Sequence, residues 1–64
     1  MSHEQITFKK YLERIFEDHN ENIIRTIIYC NGNPDKMHYE ERRAYETLTS
    51  REINQVVNEI TLPF

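Results

Sequence analysis

Leu48-Thr49-Ser50-Arg51-Glu52-Ile53 fixes the start of a helix, and no other stretch of the chain constrains the fold so tightly. The Thr49 hydroxyl is placed to accept from the Glu52 backbone N–H, and the Glu52 carboxylate to reach back to the Thr49 N–H. Leu48 and Ile53 flank this capping box as a hydrophobic staple. Behind it Ile53, Val56, Val57 and Ile60 recur on one side, and Pro63 stops the pattern, which predicts a last helix over 50–61.

Similar punctuation divides the rest of the chain. Ser2 with Gln5 three residues on marks a first cap. Phe8, Tyr11, Leu12, Ile15 and Phe16 then follow at three- and four-residue steps, predicting a helix over 3–18. Residues 18–20 can cap a second helix over 21–31. Its paired isoleucines, Ile23, Ile24, Ile27 and Ile28, are expected to form the buried side, with Arg25 and Tyr29 roughly opposite and Asn31-Gly32 supplying a left-handed stop. Asn33-Pro34-Asp35 reads as cap, first helical residue and dipole-matched acid, predicting a third helix over 34–47 with a thin stripe of Met37, Ala44, Tyr45 and Leu48. The expectation is therefore an all-α fold, a single domain spanning 1–64 and built as a bundle of four short helices.

Sixty-four residues limit the core. A chain of this size buries only about 60% of the surface it exposes when unfolded, so self-association or a protein partner is a common supplement. Cys30 is the only cysteine, which removes an internal disulfide, and no paired Cys/His spacing points to zinc. No apolar run approaches the ~20 residues that span a bilayer, and the N-terminus lacks the form of a secretory signal, so the expected compartment is cytoplasmic.

Eight basic side chains face eleven acidic ones, a net charge of −3, and no basic block interrupts the mixture. Such a chain lacks the counterion-release term that dominates non-specific nucleic-acid affinity. A DNA-reading alternative follows from the last two helices as a helix-turn-helix. Arg51, Asn54, Gln55 and Asn58 would face bases and Arg42 and Arg43 phosphates, but Glu52 and Glu59 share the would-be reading helix.

Catalytic chemistry finds no foothold in the spacing. Cys30 and His38 have no third group to orient them, and Gly32 is the only glycine, so neither an oxyanion hole nor a phosphate-cradling loop is encoded. Asp35, His38 and Glu41 would share one face of a third helix starting at Pro34, which is weak for a metal site. The expectation is no enzyme activity, no metal and no cofactor.

Aromatic and apolar groups off the stripes are the stronger functional signal. Tyr29 and Tyr39 are expected to point away from their helices' apolar sides, Glu41 lies on the apolar side of its own, and Leu62 and Phe64 follow the last helix. These five are the expected partner-binding residues of a small acidic module, acting as a homodimer on a larger protein as adaptor, inhibitor or modulator. The layout of short acidic helices beginning with Tyr11-Leu12-Glu13-Arg14 is similar in outline to the small Hha/YmoA modulators, and that likeness implies a protein partner, since they act by binding a nucleoid protein.

Overall fold

The computed structural model describes residues 1–62, which form four α-helices and no strand: α1 (His3–Asp18), α2 (Ile23–Gly32), α3 (Tyr39–Thr47) and α4 (Ser50–Thr61). The first and last match the expected spans because each carries its own start signal. At α1, the Ser2 N–H donates to Gln5 Oε1 (2.9 Å) and the Gln5 N–H to Ser2 Oγ (3.2 Å). At α4, the Thr49 N–H donates to Glu52 Oε1 (2.9 Å) and the Glu52 N–H to Thr49 Oγ1 (3.2 Å).

The other three elements pack against α1 rather than closing on one another. Its side chains supply most of the buried core, namely Phe8, Tyr11, Leu12, Ile15 and Phe16, to which α3 adds Ala44 and α4 adds Val56 and Ile60. Ala44 suits its place, since a methyl side chain lets α3 approach the aromatic side of α1 closely. Gln5, also buried, ties α1 to α4: its Nε2 donates to the Glu52 carbonyl (3.2 Å) and to Gln55 Oε1 (2.8 Å).

The third helix is shorter than the expected 34–47. Pro34–Lys36 makes one turn of 3₁₀-helix, the chain extends at Met37 and His38, and α3 starts at Tyr39. Glu41 is the reason, because its carboxylate accepts the His38 backbone N–H (2.9 Å) and so starts the helix five residues later than Pro34 would. Asn33 does not cap; its Nδ2 donates backwards to the Tyr29 carbonyl (3.0 Å).

The second helix departs further. Asn20 and Glu21 take left-handed backbone conformations (φ 58° and 59°) that end α1, with the Glu21 N–H returning to the Phe16 carbonyl, and Asn22 rather than residues 18–20 caps α2 through Arg25 N–H (3.1 Å). Gly32 lies inside the helix and does not adopt the left-handed conformation expected of it.

More consequential is the helix's rotation. Thr26, fully buried, faces α1 with half-buried Ile23 and Cys30 beside it, while Ile24 and Ile28 are 68% and 65% exposed and Ile27 42%. Relative to an isoleucine-centred packing, α2 is turned by roughly one residue step, ~100°. The α1 surface is already filled by its own aromatics, so the small side chains of Thr26 and Cys30 make the close approach. The Thr26 hydroxyl enters without cost in hydrogen bonding because it donates to the Asn22 carbonyl (2.8 Å). His19 and Tyr29 hold this orientation, their rings 4.8 Å apart.

Candidate functional site

Two adjoining features stand out: the outward isoleucine face of α2 and a groove next to it. The face follows from the rotation just described. Ile24, Ile27, Ile28 and Asn31 occupy successive i, i+3, i+4, i+7 positions, a stripe of the kind helices use to pair. No acidic residue lies in α2, and Arg25 is its only charged side chain.

The groove, about 460 Å³, exists because α2 and α4 both lean on α1 from different sides. Phe8, Tyr11 and Leu12 form its floor. α2 contributes Ile27, Cys30 and Asn31 to its lining, and Met37, Tyr45, Ile53, Asn54 and Val57 join them. Its charged rim residues Arg42 and Glu46 pair with each other at 3.6 Å.

Tyr11 is the unusual group in this groove. The residue is 1% exposed, the Arg14 guanidinium lies 5.4 Å from its ring centre, and the Cys30 side chain is within hydrogen-bonding reach of its buried hydroxyl. Burial, with Cys30 close by, raises the phenol well above its ordinary pKa, and burial likewise raises the Cys30 thiol. Both groups therefore stay protonated at neutral pH, leaving the Tyr11 O–H as a hydrogen-bond donor.

The residues expected from the sequence to bind a partner are scattered. Tyr39 is 75% exposed beside a second, shallower hollow of about 510 Å³ lined by charges of both signs, its hydroxyl 3.5 Å from Arg43 Nη1. Leu62 is exposed. Tyr29, expected to point outward, is half-buried against His19, which leaves less of its ring free. Glu41 is largely enclosed, its carboxylate engaged by the His38 N–H and, at 3.5 Å, by Arg14. Phe64 lies outside the described residues. No hydrogen bond, ion pair or ring contact joins Tyr29, Tyr39 and Leu62 to one another.

Arg51, Asn54 and Asn58 are exposed along α4, and Gln55 accepts from Gln5. Arg42, placed by the DNA reading near phosphate, is paired with Glu46, and Arg43 lies beside Tyr39. The late start of α3 also removes the single helical face assumed for Asp35, His38 and Glu41: Asp35 sits in the 3₁₀ turn and His38 precedes the helix. Among the described residues no three His, Cys, Asp or Glu side chains gather in a group that could hold a metal. Likewise, no described helix is long and apolar enough to cross a membrane.

Neither the outward isoleucines nor the groove was readable from the periodicity. The adjacent isoleucine pairs mark an apolar arc without saying which of its edges meets α1. The small, polar Thr26 was the available signal that α2 approaches its neighbour on the other edge. No protein-family model, no curated protein and no solved structure matches this chain.

Proposed function

We propose that this chain is a small helical protein-interaction module that acts as a homodimer, two copies meeting through the isoleucine face of α2. The observation that carries the reading is the exposure of Ile24, Ile27 and Ile28 on one stripe of a helix that the monomer covers on only its other side. A second copy suits this face on electrostatic grounds. Two chains of charge −3 repel over most of their surfaces, but α2 carries none of the eleven acids, so it is where two copies can approach with least repulsion.

The strength follows from the exposed fractions. The three isoleucines together offer the equivalent of roughly one and three-quarter fully exposed side chains, and burying them gains about 3–5 kcal/mol per protomer. Against an association cost of at least ~4 kcal/mol, this face alone supports a dimer in the tens of micromolar or weaker. Tyr39 and Leu62 remain outside the pairing stripe, available to a larger protein that the module adapts, inhibits or modulates.

Sedimentation equilibrium from about 10 to about 500 μM tests the pairing. The wild-type mass should rise with concentration above 7.8 kDa, and an Ile24→Glu/Ile28→Glu variant should stay monomeric and folded. A wild-type mass that stays at 7.8 kDa throughout removes the homodimer.

A further inference from the structure

The isoleucine stripe of α2 and the groove form one continuous surface. Successive residues of a helix turn by ~100°, so from Thr26, which faces α1, the side chains of α2 fan out through Cys30 and Ile27 to Asn31, and then to Ile24 and Ile28. Ile27 and Asn31 line the groove and also belong to the stripe. A ridge therefore stands beside a hollow, with those two residues on the line between them. A twofold axis along that line sets the ridge of each copy over the hollow of the other, the self-complementary arrangement that a symmetric pair requires.

We infer that the groove is the socket for Ile24 and Ile28 of a second copy, so that each chain of the dimer gives a ridge and receives one. This rests on the homodimer reading and adds to it the place where the isoleucines go. Area supports the assignment. The exposed parts of Ile24, Ile27 and Ile28 amount to roughly 200 Å² per copy, about a quarter of the ~800 Å² that each partner buries in a specific, stable interface. Pairing α2 on α2 alone would leave the groove, about 460 Å³, open beside the contact, whereas seating the isoleucines in it adds the uncovered parts of Met37, Ile53 and Val57. Charge agrees. Arg42 and Glu46 are the only charged residues lining the groove and they pair with each other, so two chains of charge −3 meet here without opposing acids. The polar lining residues Asn31 and Asn54 are exposed, which puts them at the mouth, where interfaces carry their polar rim. Ile27 and Asn31 would face their own counterparts across the axis.

Isotope-filtered NOE spectroscopy on an equal mixture of methyl-labelled and unlabelled wild-type chains reads contacts between copies alone. It is run at a concentration where sedimentation shows a mass above 7.8 kDa. The expected result is cross-peaks from the Ile24 and Ile28 methyls of one copy to Met37, Ile53 and Val57 of the other. The methyl resonances of those three groove residues should also shift with protein concentration, and the shifts should be lost in Ile24→Glu/Ile28→Glu, although neither substituted residue lines the groove. If the mass rises but Ile24 and Ile28 give no cross-peak to the three groove residues, the socket is overturned and the homodimer stands. A wild-type mass fixed at 7.8 kDa up to the highest concentration overturns both.

Discussion

Truncating isoleucines one at a time reads the orientation of α2 directly, because burial in this fold does not follow the apolar pattern of the sequence. Ile15 on α1 is 7% exposed and Ile28 on α2 is 65% exposed. Ile15→Ala removes buried methylenes and leaves a cavity, at a cost of about 2–5 kcal/mol. Ile28→Ala gives up only the third of the side chain that is covered, about 0.5–1 kcal/mol. It opens no cavity, and alanine's better helix propensity returns about half of that. A chain of this length has about 3–10 kcal/mol of total stability, and each kcal/mol moves Tm by roughly 4–8 °C. Ile15→Ala should therefore melt at least about 8 °C lower or lose its transition, with Ile28→Ala within about 4 °C of wild type. Thr26→Asp, which puts an unpaired charge at a fully buried site, should unfold the domain or come close to it. Circular dichroism during heating and urea titration at about 5 μM is the assay, dilute enough that pairing contributes little. If Ile28→Ala loses as much as Ile15→Ala, or Thr26→Asp is tolerated, α2 is turned the other way and the face proposed for pairing belongs to the core.

Other perturbations probe the joints of the fold. Gln5→Leu keeps volume but severs the tie from α1 to Glu52 and Gln55 and strips Ser2 of its acceptor, so the urea midpoint should fall by the equivalent of about 1–3 kcal/mol. Thr49→Ala removes the acceptor of the Glu52 N–H and should cost about 1 kcal/mol, measured the same way. For alkaline pH the sign follows from protons held by the folded state: Tyr11 and Cys30 both have raised pKa values, so the unfolded chain releases these protons first. Their contribution is intact below the unfolded thiol's pKa of about 9 and is lost progressively as pH rises. Urea titrations at about pH 7 and pH 10.5 should show the loss, and Tyr11→Phe should lessen it.

Legibility in the sequence tracked how local each determinant is. The spans of α1 and α4 were readable because a cap, an acceptor three residues on and an apolar stripe all lie within the helix they define. The start of α3 was not, although Glu41 was in view. Asn33-Pro34 satisfies the usual start rule, and His38 is outside the residue types that normally mark a cap, so the carboxylate that selects His38 was read as part of a longer helix. The face of α2 was ambiguous for a physical reason. Both edges of its apolar arc could be buried, and the choice rests on how closely Thr26 and Cys30 let it approach α1, which is tertiary information. Tyr29 was misplaced by the same rotation. The groove draws on four separate elements, so no single segment of sequence encodes it.

The claim on which the rest depends is that α2 shows its isoleucines to water in the single chain. Isoleucine δ1-methyl NMR with a soluble gadolinium chelate measures this residue by residue, at a concentration where the chain is monomeric. Relaxation should be strongly enhanced at Ile24 and Ile28, intermediate at Ile27 and weakest at Ile15 and Ile60, and protection of Ile24 and Ile28 should grow as protein concentration is raised. Ile24 and Ile28 as shielded as Ile15 in the dilute sample would contradict the account.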